Sequence, residues 1–349
     1  MHKIKVMLKD KSTIISVILS SCLSFSAVAH YPDPENPSLF LPSVNFTGKK
    51  ISDLKALGIK QIKLDSIVSG IQKDTHKPLC EVTWAGELPF NNKENSHVID
   101  LIKEYGPQAV VISLGGSKGT PLAISCETEG LLIAQYRKIQ EMLGVHQLDF
   151  VFSEAWLQDS AAVERHNKVV ATMQKNDPSL KVWYSFPLTI NGLSYTAKEA
   201  LSTMLQADLK IAWLNLIADN FPIKEGDTLI SESITRAIDM AVNDIHKIFA
   251  DLGSGEITKD DIYHGIGITP MIGRKHKDQP VFNLQSATHL MAYMQEKHLE
   301  GISIPLNRDQ PCKEEEFTLN EECSGDKNHP VYGFTDIFKG YTHPAHDHD

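Results

Sequence analysis

The chain is short of positive charge. Its 349 residues carry 34 Lys and Arg against 44 Asp and Glu, a formal net charge of −10. The basic residues are scattered, so the electrostatic footprint of a nucleic-acid-binding protein is missing. Long apolar runs are missing too. The stretch 13–25 is apolar but too short and too rich in serine for a stable membrane span. No Gly-x-Gly-x-x-Gly follows the first strand-like run, which argues against a doubly wound dinucleotide-binding fold. Internal repeats are lacking, and no domain linker interrupts 33–340. Cysteine is scarce, at five residues. Nothing in the pattern calls for a cofactor or a resident metal. A copper site at His30 and a metal-binding tail at His343, His346 and His348 both lack a supporting fold signal. What remains is a composition of 42% hydrophobic and 22% charged residues, ordinary for a globular protein.

The ends are set apart from the middle. Lys3, Lys5, Lys9 and Lys11 precede the apolar stretch, and Ala27-Val28-Ala29 is a small-residue cleavage pattern. The expected organisation is a signal peptide over 1–29, a folded body over 30–342 and a His-rich tail over 343–349. A secreted or periplasmic location follows. The competing reading makes Cys22 the lipidated residue of a lipoprotein signal, but the chain stays apolar beyond it. Export leaves Cys80, Cys126, Cys312 and Cys323, which suggests two disulfides. Cys312 and Cys323 are close in sequence and flank a charged loop, so they are expected to pair, and Cys80 with Cys126 follows. The protein is expected to be a monomer.

Apolar or β-branched runs at 39–46, 60–68, 108–114, 147–153, 181–188, 210–217, 264–270 and 301–305 alternate with amphipathic segments. The helices are expected at Ile51–Leu57, His97–Tyr105, Thr128–Leu143, Ser160–Lys175, Ala197–Gln206, Ser231–Leu252 and Asn283–His298. This alternation predicts a parallel sheet with crossover helices, and eight strands fit an α/β fold of the (β/α)8 TIM-barrel kind.

Barrel chemistry sits where strands end, so the stretch QLDFVFSEAW over 147–156 draws attention. Alternation puts Asp149, Val151 and Ser153 on one face and Phe150, Phe152 and Glu154 on the other. A helix is expected from about Asp159. Earlier, the strand VVISLGG over 110–116 closes on Gly115 and Gly116, which allow a tight turn and leave room for a ligand beside Ser113.

These stretches resemble the glycoside hydrolase family 18 chitinases, in particular a secreted bacterial branch with a compact barrel. LKALGIKQIKLDSIV, CEVTWAGE, VVISLGGSKGTPLAISCET, GVHQLDF, GIGITPMIG, LNRDQPC and CSGD carry the resemblance in order over 33–340. The family implies a strand bearing Asp-x-Asp-x-Glu. Its glutamate protonates the glycosidic oxygen, and the preceding aspartate orients the sugar's acetamido group, whose carbonyl attacks the anomeric carbon. Here the first aspartate is kept as Asp149, the second position is Val151, and the acid position is Ser153. A serine hydroxyl is no general acid near neutral pH, and valine holds no acetamide. The tyrosine that the family uses to bond the acetamide is replaced by Phe221, and its aspartate neighbour by Asn220. The tryptophan that floors the sugar pocket is absent from the strand before Asn307, Arg308 and Asp309.

Several losses in one pocket beside a well-kept scaffold predict a chitinase-like pseudoenzyme. Its expected partner is chitin or another N-acetylglucosamine-containing glycan. Two alternatives stand beside it. In one, a bulge swings Glu154 inward as a shifted general acid above Asp149. In the other, the barrel is a secreted interaction scaffold that binds no sugar, its groove filled by Phe152 and Phe221. The resemblance places substrate contacts at Ser113, Gly115, Gly116, Asn220, Phe221 and Met271. Trp84 and Trp156, in loop-like positions, join them as candidate sugar-stacking residues. Trp183 and Trp213 are expected to pack within strands, and His166 and Asn167 to be structural.

Overall fold

The computed structural model describes residues 40–46, 54–253, 257–276, 278–312 and 322–342. The signal segment with Cys22, the copper candidate His30, the start of the expected helix at 51–53, most of the loop between Cys312 and Cys323, and the histidines of the tail lie outside these residues.

Among the described residues there are eleven strands: β1 Ser43–Asn45, β2 Ile62–Ile71, β3 Pro78–Trp84, β4 Leu88–Pro89, β5 Val110–Gly115, β6 Gln147–Val151, β7 Lys181–Thr189, β8 Gly192–Leu193, β9 Ile211–Ala218, β10 Ile266–Pro270 and β11 Gly301–Ile302. Eight of them pair in parallel in the order β1-β2-β5-β6-β7-β9-β10-β11. The ring closes between the last strand and the first. Leu41 N–H donates to the Ile302 carbonyl at 2.9 Å, and Ser43 N–H donates to the Ile304 carbonyl at 2.8 Å. This is the expected (β/α)8 barrel. β3 and β4 form an antiparallel extension of β2, and β8 folds back on β7.

The helices are α1 Ser96–Tyr105, α2 Leu122–Ser125, α3 Glu129–Leu143, α4 Glu154–Gln158, α5 Ser160–Asn176, α6 Tyr195–Gln206, α7 Ile230–Asp251, α8 Lys259–Tyr263, α9 Leu284–Lys297 and α10 Gly333–Phe338. The sequence states where the long ones start. Thr128, Asp159, Ser194 and Asn283 each accept a first-turn amide N–H and so satisfy a donor that the helix itself leaves open. Gly144, at φ +66°, ends α3 in a conformation that costs other residues more. Both disulfides join the expected pairs, Cys80–Cys126 and Cys312–Cys323. The first ties β3 to the end of α2.

Three expectations need correction. The sixth strand stops at Val151, two residues short, and an additional short helix opens at Glu154 ahead of the expected one, which starts at Ser160 with Asp159 as its cap. Trp84 is not in a loop but ends β3, fully buried, where its Nε1–H donates to Asn95 Oδ1 at 2.8 Å. Trp156 lies in α4 at 1% exposure against Phe152 and His166. Both rings are apolar enough to be drawn under the helices, so neither offers a face to a sugar.

Candidate active site

Alternation along the strands sends one set of side chains into the barrel. At its lower level Leu41, Val111, Trp183 and Trp213 form a separate apolar cluster, with the two indoles 4.3 Å apart. The Trp213 ring lies against Gly267, where a Cβ would come within 2.2 Å of it. The expected packing role of both tryptophans is what the structure has.

Above this plug the interior turns polar. Asp149 is 1% exposed and accepts Ser113 Oγ–H and Ser185 Oγ–H, each at 2.8 Å. Lys63 reaches up from β2 to place its ammonium 3.3 Å from Asp149 Oδ2. The chain of bonds continues around the barrel. Asn215 Nδ2–H donates to Ser185 Oγ at 3.0 Å, and Thr269 Oγ1–H donates to Asn215 Oδ1 at 3.0 Å. A buried carboxylate survives only with such partners, because desolvating an unpaired charge is expensive.

Asp65, two residues beyond Lys63, faces the same interior and is only partly exposed. Burial pushes its carboxyl above the ordinary range, and the Asp149 charge adds to the rise. The Lys63 ammonium and hydrogen bonds with Ser113 and Ser43 offset part of it. Sequence reading missed both Lys63 and Asp65. Their alternate spacing on β2 was the available signal.

At the mouth, the residues after β6 are arranged around a helix start. Ser153 accepts the Trp156 N–H through its hydroxyl at 3.4 Å and thereby caps α4. Glu154 is exposed. Its Oε1 accepts Gln158 Nε2–H at 3.1 Å and Thr196 Oγ1–H at 3.3 Å. The carboxylate is therefore held along α4 and toward the start of α6. Val151 is half-buried, and its carbonyl accepts Gly116 N–H at 2.8 Å. Gly115, at φ +93°, has no room for a side chain. A Cβ would meet that carbonyl at 2.6 Å and the Trp156 ring at 3.1 Å. The space beside Gly115 is thus filled from within.

Phe152 does not enter the groove. It stacks on Phe186 at 5.1 Å under the helices, and Phe221 is buried at 5% exposure. Asn220, at φ +50°, accepts Gln279 Nε2–H at 3.0 Å, and Asp219 pairs with Lys275. Met271 is half-buried on the rim. Arg308 donates to the Arg274 and Ser324 carbonyls at 2.9 Å, while Asp309 accepts the Phe334 and Thr335 N–H groups at the start of α10. Both residues anchor loops, each a different one. His166 is fully buried between Tyr136 and Tyr184, and burial lowers its pKa to about 3. One exposed aromatic was missed: Tyr195, 73% exposed at the start of α6 beside Thr196.

No family model matches the chain. Similarity to individual proteins is nevertheless extensive. The chain is 27% identical over 322 residues to a probable bifunctional chitinase/lysozyme of Escherichia coli K12, covering 87% of this chain and 34% of that protein. It is 26% identical over 290 residues to endochitinase 11 of Metarhizium anisopliae, covering 78% of this chain and 53% of the relative. The chain therefore spans about a third and about half of the two curated relatives. Among solved structures, active domain 2 of a thermostable chitinase from Pyrococcus furiosus, complexed with chito-oligosaccharides, superposes with a TM-score of 0.70. Sequence identity is 20%, over 88% of this chain and 97% of that one.

Proposed function

We propose that the chain is a chitinase-like protein of glycoside hydrolase family 18 whose barrel binds N-acetylglucosamine-containing glycans without hydrolysing chitin. One observation carries the loss of hydrolysis. The hydroxyl at the family's acid position, Ser153, is committed to capping α4, and the neighbouring carboxylate, Glu154, stands in solvent on Gln158 and Thr196. A general acid must reach the leaving oxygen, and neither group is placed to do so. The polar interior around Asp149, with Asp65 beside it half-buried, supports retained binding. We place the protein outside the cytoplasm. The signal-like start and the two disulfides support that, and no described helix is long and apolar enough to cross a membrane.

The test is hydrolysis of a fluorogenic chitotriose substrate by the wild-type chain, Glu154→Gln and Asp149→Asn, with a titration of unlabelled chitotetraose alongside. No turnover with saturable binding is the expected result. Turnover that disappears in Glu154→Gln would overturn it and make Glu154 the acid. The scaffold reading has one observation in its favour: Trp84, Trp156 and Phe221 are all buried, which leaves few stacking faces. It predicts neither turnover nor binding.

A further inference from the structure

The chain that follows β10 forms one wall of the barrel mouth, at the end where the parallel strands stop. It is pinched where Gly273 and Phe282 exchange backbone hydrogen bonds, each at 2.8 Å. Two neighbours hold it. On one flank Lys275 pairs with Asp219, and Gln279 Nε2–H donates to Asn220 Oδ1 at 3.0 Å, both partners lying just past β9. On the other flank it meets the strip Cys323–Asp326 backbone to backbone. Arg274 donates to that strip twice, from its backbone N–H to the Ser324 carbonyl at 2.8 Å and from Nε–H to the Gly325 carbonyl at 3.1 Å. Arg308, 5% exposed, donates from Nη2 to the Ser324 and Arg274 carbonyls, each at 2.9 Å. Glycine permits the approach: a side chain at Gly273 would run into the Ser324 carbonyl, and one at Gly325 into the Arg274 carbonyl.

The strip itself belongs to no helix or strand. Further links to the chain before it run to Gln310 and Cys312. Ser324 N–H donates to the Gln310 carbonyl at 3.0 Å, Cys312 N–H to the Asp326 carbonyl at 3.1 Å, and Gly325 N–H to Cys312 Sγ at 3.1 Å. On the other side Ser324 Oγ lies 2.6 Å from His329 Nε2, a contact five residues away within the same loop. Each of these bonds exchanges with water at small net gain. The Cys312–Cys323 disulfide is the one covalent link, and it closes a ring with a sequence separation of 11. Cutting it restores the freedom of that ring to the open state and leaves the zipper to hydrogen bonds alone.

We propose that Cys312–Cys323 is a redox-sensitive latch on this wall of the mouth. With the bond intact, Arg274 is zipped to Ser324 and Gly325. With the bond reduced, the strip detaches and the wall opens. The step is thiol–disulfide exchange. One thiolate of a dithiol reductant attacks one sulfur of the pair and displaces the other cysteine as a thiolate. The dithiol's second thiolate then breaks the mixed disulfide, and the dithiol leaves as a cyclic disulfide. Two electrons pass to Cys312 and Cys323, and the two protons that the dithiol gives up end on their sulfurs. The other disulfide, Cys80–Cys126, joins β3 to the end of α2 and makes none of these contacts. The latch does not depend on what the mouth binds.

The experiment is limited tryptic digestion of the full chain without ligand, because Arg274 and Lys275 place two cleavage sites in the wall. Mass spectrometry follows cleavage there, divided by cleavage after Lys168 inside α5, which reads general unfolding. Wild type, Cys312→Ser/Cys323→Ser and Cys80→Ser/Cys126→Ser are compared with and without dithiothreitol. Cleavage follows the population of the open form, so without reductant the ratio is expected to be at least about tenfold higher in Cys312→Ser/Cys323→Ser than in wild type. Dithiothreitol is expected to raise the ratio in Cys80→Ser/Cys126→Ser and to leave it unchanged in Cys312→Ser/Cys323→Ser. A smaller rise in Cys312→Ser/Cys323→Ser overturns the latch. A dithiothreitol response that survives in that variant overturns it too, and assigns the release to Cys80–Cys126. No response in Cys80→Ser/Cys126→Ser overturns the redox sensitivity. None of these outcomes bears on glycan binding, which the chitotetraose titration reads separately.

Discussion

Lys63 and Asp149 meet inside the barrel, 3.3 Å apart, at 7% and 1% side-chain exposure. They come from strands separated by β5, and Ser113 of β5 bonds the same carboxylate. The aspartate that resembles the first member of the family's acidic strand is thus a half of an ion pair.

That pair makes a stability prediction. Lys63→Met leaves Asp149 buried and uncompensated and is expected to cost about 3–5 kcal/mol. Adding Asp149→Asn removes the stranded charge and is expected to recover part of the loss. Urea denaturation of both single variants and the double variant gives the coupling. Simple additivity of the two losses would contradict the pairing.

Gly267 is expected to be intolerant of a side chain. Its Cβ would lie 2.2 Å from Trp213, deep in the barrel, where neighbours have little room to move. Gly267→Ala is expected to cost about 1–3 kcal/mol. Trp213→Phe in the same chain should recover some of that cost, because it withdraws the far edge of the ring. Thermal melts of the three variants check this.

His166 ties stability to pH. Burial lowers its pKa from 6.5 to about 3, so the folded state holds the ring neutral. The contribution is complete above 6.5 and is lost progressively as pH falls from 6.5 toward 3. Between pH 7 and pH 5 this site alone should remove about 2 kcal/mol. Urea midpoints across that interval should fall less steeply in His166→Gln. Parallel slopes for the two proteins would mean that His166 does not set this limb.

The disulfides are expected to differ in weight. Cys80–Cys126 spans 46 residues and Cys312–Cys323 spans 11. In the chain-entropy picture they contribute about 4 and about 3 kcal/mol. Replacing Cys80 and Cys126 by serine should lower the melting temperature more than replacing Cys312 and Cys323. The reverse order would mean that strain or packing, rather than loop closure, sets their effect.

Much of the architecture was legible in the residues. Strand runs at 181–188 and 210–217 match β7 and β9 to within a residue at either end, and Thr128, Asp159 and Asn283 mark helix starts. These are local effects: a two-residue alternation, a 3.6-residue periodicity and a side chain reaching its own first turn are all set by neighbours in sequence. The tryptophans were not legible in the same way. Trp84 sits by Gly86 and Trp156 comes two residues after Glu154, so both look like surface loops, yet the fold covers them: Phe46 and Asn95 in one case, Phe152 and His166 in the other.

The site divides along the same line. The sequence by itself determined which groups the barrel has for chemistry: Asp149 kept, with Val151, Ser153 and Phe221 where the family has polar side chains. The Ser153 cap, a contact within one helix turn, holds Glu154 out along α4. Tertiary structure alone decided the rest: barrel closure brings Lys63 and Asp65 of β2 beside Asp149 of β6. A carboxyl's charge and proton depend on what lies within a few ångströms of it, and in a closed barrel those neighbours come from strands far apart in the chain.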